Sequence, residues 1–300
     1  MAYIFQHPDI THTAIVLVGS QGVGKNSFVE PLGVLFGEHY APLSNINELV
    51  SNFNFHLKNT VLIHANEALW GGHVKDIGTI KSLITEEYCL IEGKGKDRIK
   101  IRNFKHVIVS SNEDWPVHLD HDDRRFFVLS VSEQHKEDHE YFKIIKKELE
   151  NGGYEALLFD LLNEDLADFD PRKIPSNSEN FSIKMRSAES PERYLYEALL
   201  LGGFSIGNTT NETYPVWQGT IPKNDIYQDY KNWCINNGEK PQRKELLGKS
   251  VKKLIPTVED IRPTNGSSRI WCYKFLSLKE TQNDFARSFK QKTEVIFNDY

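Results

Sequence analysis

Residues 14–27, Ala-Ile-Val-Leu-Val-Gly-Ser-Gln-Gly-Val-Gly-Lys-Asn-Ser, constrain the fold more than any other segment of this chain. A β-type apolar run passes directly into a glycine loop that ends in lysine. An amphipathic run follows, with Phe28, Val29, Leu32, Leu35 and Phe36. Gly19, four residues, Gly24 and Lys25 have the spacing of a phosphate-binding loop. The backbone from Gly19 through Ser20, Gln21, Gly22, Val23 and Gly24 curls around a phosphate, Lys25 reaches the terminal phosphates, and the next helix presents its positive dipole end. A plain strand-to-helix turn is the alternative, but it does not call for the full spacing. The position after the lysine, where a Ser or Thr hydroxyl ordinarily reaches Mg²⁺, is Asn26; the nearest hydroxyls are Ser27 and Ser20.

The rest of the first half alternates strand and helix patterns: strand 13–18, helix 25–37, strand 60–65, helix 74–86, then strands 106–110 and 126–131. Such alternation predicts an α/β fold with a mostly parallel sheet covered by helices. Residues 138–168 read as helices broken at Gly152-Gly153, and Asp170 to Asn180 is rich in breakers and reads as a linker. Beyond Ser190-Pro191-Glu192, helices fit Lys223–Asn237 and Arg243–Leu254. Two strand-like runs follow, Thr257–Arg262 and Ser268–Phe275, around Pro263-Thr-Asn-Gly266. Two helices and an Asn-Gly hairpin are the order of a winged helix-turn-helix, which puts Lys244, Lys249, Lys252 and Lys253 toward DNA and Arg269 on the wing. A small α+β cap with a lysine-rich solvent face is the alternative. The expected division is 1–135, 136–189 and 190–300.

Charge bears on the choice of partner. The chain total is −6, but residues 222–300 carry 15 Lys and Arg against 10 Asp and Glu, leaving −11 elsewhere. Between Glu133 and Asp170 there are 12 acidic and 4 basic residues. A basic binding module on an acidic body fits this asymmetry, as do ordinary solvated faces. No apolar run is long enough to span a membrane, and the first residues lack the pattern of a signal peptide. Cys89, Cys234 and Cys272 form no metal-ligand spacing, which favours a reducing, cytoplasmic compartment.

Nucleotide hydrolysis needs more than a phosphate cradle. It also needs a carboxylate for metal and water, a polar group at the γ-phosphate, and positive charge for the transition state. Residues 59–67, Asn-Thr-Val-Leu-Ile-His-Ala-Asn-Glu, form an apolar strand ending in a carboxylate. Glu67 is the candidate base, and Asn66 stands where an Asp often helps hold the metal. Ser27, Asn66 and Glu67 are therefore the candidate metal shell. His106-Val-Ile-Val-Ser-Ser-Asn112 is a further buried-looking strand; inserted between the other two, it would bring the Asn112 amide near the γ-phosphate. Asp122-Asp-Arg-Arg supplies Arg124 and Arg125, either of which fits an arginine finger, with a local pairing to the two aspartates as the alternative. Lys94 to Lys105 holds six basic residues and one Asp. It reads as a hairpin whose Lys94, Lys96 and Arg98 track a nucleic-acid backbone, or as a solvated hairpin.

In this order, these motifs resemble a superfamily 3 helicase, a viral and phage branch of the AAA+ ATPases, over about residues 13–131. The segment Ile80-Lys-Ser-Leu-Ile84 resembles the family's helix before the DNA-binding hairpin. Residues 226–238 resemble the winged-helix tail of phage and plasmid primase-helicases, and the set as a whole is similar to the helicase half of phage primase-polymerases. The resemblance implies a P-loop AAA+ core with a winged-helix-like C-terminal domain, ATP and Mg²⁺ as cofactors, and Lys25 on the β/γ-phosphates. It further implies Glu67 in the acidic role, Asn112 as sensor, and Arg124 or Arg125 acting in trans. The implied assembly is a homo-hexamer on single-stranded or forked DNA in the host cytoplasm, with a primase-polymerase domain on the same polypeptide. Asn26 and Asn66 depart from the family pattern at the metal. The short stretch before the first strand leaves out the usual oligomerisation collar. The two departures at the metal favour the rival reading of an ATP-binding DNA-loading scaffold with weak turnover. A small-molecule P-loop kinase is a further rival, but it explains neither the basic hairpin nor the Asn-ended strand.

Overall fold

The computed structural model describes residues 1–51, 53–66, 74–113, 117, 119–206, 215–265 and 268–297. Two units partition the chain: Met1–Leu119 with Asp123–Pro175, and Asp120–Asp122 with Ser176–Tyr300.

The first unit contains α1 (Ala2–Gln6), β1 (Ala14–Val18), α2 (Lys25–Phe36), β2 (Tyr40–Leu43), α3 (Ile46–Val50) and β3 (Leu62–Asn66). These are followed by α4 (Val74–Thr85), β4 (Tyr88–Ile91), β5 (Ile99–Arg102), β6 (His106–Ser111), β7 (Phe126–Ser130), α5 (His139–Glu148) and α6 (Tyr154–Asn163). Five strands form one parallel sheet in the order β2-β3-β6-β1-β7. β6 therefore lies between β1 and β3, with Val109 in register with both Val16 and Ala65. Parallel strands covered on both faces need continuous apolar runs. Ala14, Val16, Leu62, Ile63, Ala65, Val107 and Ile108 supply them, all buried. Val29 and Leu32 of α2 pack on Leu17, Leu62 and Ile108 and seat the helix over the sheet. β4 and β5 form a separate antiparallel hairpin.

Strand β2 and helix α3 escape the sequence reading, because Tyr-Ala-Pro-Leu is short and carries a proline. That proline is tolerated because β2 is the edge strand of the sheet. Helix α3 is held by a capping box in which Asn45 accepts from the Asn47 N–H and Glu48 returns to Asn45. The helical stretch 138–168 divides where Asn151 and Gly152 leave helical backbone angles, Gly152 at φ +95°.

The second unit contains α7 (Ser178–Ser187), α8 (Ser190–Leu200), β8 (Thr220–Pro222), α9 (Lys223–Asn236), α10 (Lys244–Leu254) and β9 (Glu259–Ile261). Then come β10 (Thr264–Asn265), β11 (Ser268–Arg269), β12 (Cys272–Lys274), α11 (Leu278–Ser288) and α12 (Thr293–Ile296). Strands β8, β12 and β9 make an antiparallel sheet with β12 central, and β10 and β11 form a hairpin between β9 and β12. The core joins Leu195 and Leu199 of α8 to Ile226 and Tyr230 of α9, Val251 and Leu254 of α10, and Phe285 of α11. The Tyr230 hydroxyl lies 2.6 Å from Ser190 Oγ and accepts from the Gln242 N–H at 3.0 Å, so this buried phenol is satisfied.

The expected linker is shorter in the structure. Asn177, read as a breaker, accepts from the Asn180 N–H and caps α7. The last expected strand is interrupted at Ile270-Trp271, which separates β11 from β12.

Candidate functional site

The carboxyl ends of β1, β3 and β6 meet where the strand order reverses, the usual crevice for ligands in an open α/β sheet. The Gly19 N–H donates to the Ser111 carbonyl at 3.3 Å, joining the glycine loop to the tip of β6. Gly22 (φ +84°) and Gly24 (φ +95°) take the left-handed backbone that lets the loop close on itself. A Cβ at Gly24 would also meet the Phe142 ring at 2.5 Å. Lys25 opens α2 and is 7% exposed. Its ammonium donates to Gly19 O at 2.6 Å, Ser20 O at 2.9 Å and Asn112 Oδ1 at 2.7 Å.

A cleft of about 390 Å³ opens above this lysine. Its floor is Gln21, Gly22, Gly24, Asn26 and Ser27, with Asn66 and Asn112 from the strand ends. Thus the loop, the last residue of β3 and the first residue past β6 share one cavity. Asn26 and Ser27 make no side-chain hydrogen bond among the described residues, whereas Ser20 Oγ donates to Glu133 at 2.6 Å. That bond, with Lys136 beside it, holds the Glu133 carboxyl below its ordinary range. Ser27 is therefore the hydroxyl left open to the cleft. Glu67 lies outside the described residues.

The other wall was not foreseen. Glu137, His139 and Phe142 of the acidic segment line the cleft, and the Glu137 N–H donates to Gly22 O at 3.0 Å. Glu137 adopts φ +58°, a left-handed conformation that costs a non-glycine residue on the order of 1 kcal/mol. Nothing in the sequence of this acidic segment announces that Glu137 and Phe142 lie against Gly22 and Gly24; the pairing is wholly tertiary.

At the amino end of β7, the two arginines separate. Asp123 is buried and pairs with Lys81 of α4 at 2.7 Å; Arg125 stands 3.8 Å from the same carboxylate and is half-buried. Arg124 is exposed and has no ion pair among the described residues.

On the β4–β5 hairpin, Tyr88 pairs with Arg102 and Leu90 with Lys100. Lys94 and Lys96 lie at the tip, where Lys96 N–H donates to Gly93 O and Gly95 takes φ +72°. Arg98 is engaged by Glu92. The half-buried strand expected here is only partly so: Ile101 is half-buried, but Ile99 is exposed. A signal that the sequence reading passed over is aromatic. Lys96 Nζ sits 4.3 Å from the Phe55 ring, Lys100 Nζ sits 4.3 Å from Tyr88, and Phe53, Phe55 and Tyr88 are exposed. Cations interleaved with exposed rings were legible in principle, but Phe55 is distant in sequence.

In the second unit, Lys244 donates to Asn224 at 3.0 Å, Lys252 to Asp260 at 2.6 Å, and Lys253 faces Glu192 at 3.4 Å. Lys249 and Arg269 are exposed.

Residues 17–125 match a family of unknown function, DUF5906. The chain is 34% identical over 142 residues to the DNA primase-polymerase of Nitratiruptor phage NrS-1, a match covering 46% of this chain and 20% of that protein. It is 31% identical over 108 residues to the DNA-binding protein RFX7 of Xenopus laevis, 36% of this chain and 7% of that one. The chain thus spans only a small part of either relative. Two apo structures of the NrS-1 C-terminal region superpose with a TM-score of 0.68 at 21% and 22% identity, covering 92% of this chain and 70% and 69% of theirs. The chain is a homologue of the phage primase-polymerase and shares the α/β fold of its C-terminal region, a mostly parallel sheet with helices.

Proposed function

We propose that this chain is the ATP-dependent helicase module of a phage or mobile-element replication protein. It is read as a superfamily 3 AAA+ core followed by a winged-helix-like domain. The observation that carries the reading is the Lys25 Nζ to Asn112 Oδ1 contact of 2.7 Å, which couples the glycine loop to the tip of the strand inserted between β1 and β3. Kinship with the phage primase-polymerase supports the replication setting, a primase-polymerase domain on the same polypeptide, and action in the host cytoplasm.

The cleft fits a nucleoside triphosphate with Mg²⁺. Gly22 and Gly24 take left-handed backbone that bends the loop around the cleft, and Ser27 and Asn66 line the same space. Ser27 and Asn66 would hold the metal there, and it would supply charge stabilisation for the phosphates. The protein's part is positional. Lys25 exchanges the Gly19 and Ser20 carbonyls for phosphate oxygens, Asn112 orients water without competing for its proton, and Glu67 accepts that proton. Arg124 is the finger delivered to a neighbouring subunit, and Arg125 anchors its turn on Asp123. In a homo-hexamer, Lys94 and Lys96 would follow the phosphates of single-stranded DNA while Phe55 stacks on a base.

ATP hydrolysis measured with and without single-stranded DNA tests the reading. Turnover stimulated by DNA and abolished in Lys25→Ala is the expected result; equal turnover in the variant refutes it. A second reading, an ATP-binding DNA-loading scaffold, is favoured by the two amides, Asn26 and Asn66, at positions that ordinarily serve the metal. It predicts tight nucleotide binding with little turnover in the same assay.

A further inference from the structure

In the second unit, among the described residues, Lys249 is the one α10 lysine without a partner, whereas Arg262 just before β10 and Arg269 on β11 are both exposed and without an ion pair. Of the four α10 lysines, Lys244, Lys252 and Lys253 already hold a partner within the unit. Asp260 also binds Lys223 at 2.6 Å, so one carboxylate ties β9 to the start of α9 and to α10. These contacts make α10 a packing helix as much as a charged one: Leu247, Val251 and Leu254 are buried, and a Cβ at Gly248 would meet the Tyr273 hydroxyl at 3.0 Å.

The hairpin side differs in composition and in exposure. From Ile261 to Lys279 the sequence has no Asp or Glu but four cations, Arg262, Arg269, Lys274 and Lys279. Lys274 is paired with Glu259. Arg262 and Arg269 are exposed and have no ion pair among the described residues. Between the hairpin and β12 stands Trp271, 51% exposed. Arg262 lies 5.4 Å from its ring centroid and Lys223 Nζ 5.7 Å, and its indole N–H makes no hydrogen bond among the described residues. Its backbone is fixed, since its carbonyl accepts from the Lys223 N–H at 2.9 Å. The result is a large flat ring exposed outside the core, anchored through its backbone and flanked by cations.

The shape of the partner follows from that ring. Inside a duplex every base face is already stacked, so an indole finds a free face only at a helix end or on an unpaired base. Exposed arginines beside it meet the phosphates. We infer that the hairpin face of the second unit grips the junction between duplex and single-stranded DNA, Trp271 stacking on the terminal base and Arg262 and Arg269 holding the backbone. This rests on the DNA-handling part of the proposed function but not on the nucleotide cleft.

The test uses the full chain and three DNAs of equal length: a fork with 2-aminopurine at the junction, a blunt duplex with the probe inside, and a single strand. The readouts are the 2-aminopurine signal and the ratio of fork to single-strand affinity. Wild type is expected to prefer the fork and to change the junction signal. Trp271→Ala should lower the ratio about 10-fold and abolish the signal change, while Trp271→Tyr retains most of both. Arg262→Ala/Arg269→Ala should weaken fork binding and reduce its logarithmic salt slope by about 2. The inference is overturned if Trp271→Ala keeps the wild-type ratio and signal, if Trp271→Tyr loses as much as Trp271→Ala, or if Lys249→Ala carries the loss instead. A wild-type chain that hydrolyses ATP on single-stranded DNA without preferring the fork sinks this inference alone; one that binds no DNA sinks both.

Discussion

Three oxygens, from Gly19, Ser20 and Asn112, surround the Lys25 ammonium; the loop's spacing accounts for the first two, whereas Asn112 reaches the lysine because β6 lies between β1 and β3. Arg124 and Arg125 were not separable in the same way. Adjacent residues of one type carry no local signal of role; only the burial of Asp123 decides that Arg125 turns inward while Arg124 stays in solvent. Two substitutions should therefore diverge. Arg124→Ala is expected to lower DNA-stimulated ATP turnover by roughly 10³, the scale of a lost arginine finger, with an unchanged thermal midpoint. Asp123→Ala removes the buried carboxylate that pairs with Lys81 at 2.7 Å and should cost about 3 kcal/mol of stability, read as a lower urea midpoint. If Arg124→Ala leaves turnover intact, the exposed arginine is a solvated surface residue.

Among the elements, the β4–β5 hairpin marks where sequence pattern stops being informative. Alternation of Arg98, Lys100 and Arg102 with Ile99 and Ile101 identifies a strand, yet it says only that one face is available for cover. Whether cover exists depends on distant segments, and here Ile99, Leu90 and Tyr88 stay exposed while Phe55 reaches Lys96 from another loop. The same logic hid the cleft wall: residues 133–170 read as an acidic, helical stretch, but the approach of Glu137 to Gly22 and of Phe142 to Gly24 comes from packing, not sequence pattern. Charge and stacking on the hairpin should separate experimentally. Lys94→Ala/Lys96→Ala is expected to reduce the logarithmic salt slope of single-strand binding by about 1.4, from about 0.7 per phosphate contact. Phe55→Ala should weaken binding about 10-fold with an unchanged slope, since stacking releases no counterions. A Phe55→Ala change that flattens the slope instead would mean that the ring acts only by positioning Lys96.

At the scale of the whole molecule, both units enclose histidines that burial holds neutral. In the first unit His64 lies between Tyr40 OH at 3.1 Å and Ser110 Oγ at 2.9 Å, and burial lowers its pKa to about 4. His106, at the start of β6, is likewise lowered to about 4 by burial, with a smaller contribution from the chain's amino terminus. In the second, His121 packs on Phe289 at 4.1 Å; burial, then Lys253 and Lys184, bring it to about 4. Above about pH 6.5 folded and unfolded chains both carry neutral imidazoles, so these groups add no pH dependence. Below it the unfolded chain takes up protons that the folded one refuses until about pH 4, and stability falls with pH across that window. At pH 5 the loss is about 2 kcal/mol for each of His64 and His106, the two most enclosed. Urea midpoints at pH 7.5 and pH 5 should therefore differ by a large fraction of the total stability. His64→Gln, which keeps a polar side chain but cannot titrate, should start lower at pH 7.5 and lose about 2 kcal/mol less on acidification. A pH dependence unchanged by that substitution would assign the acid sensitivity to carboxylates and not to the buried imidazole.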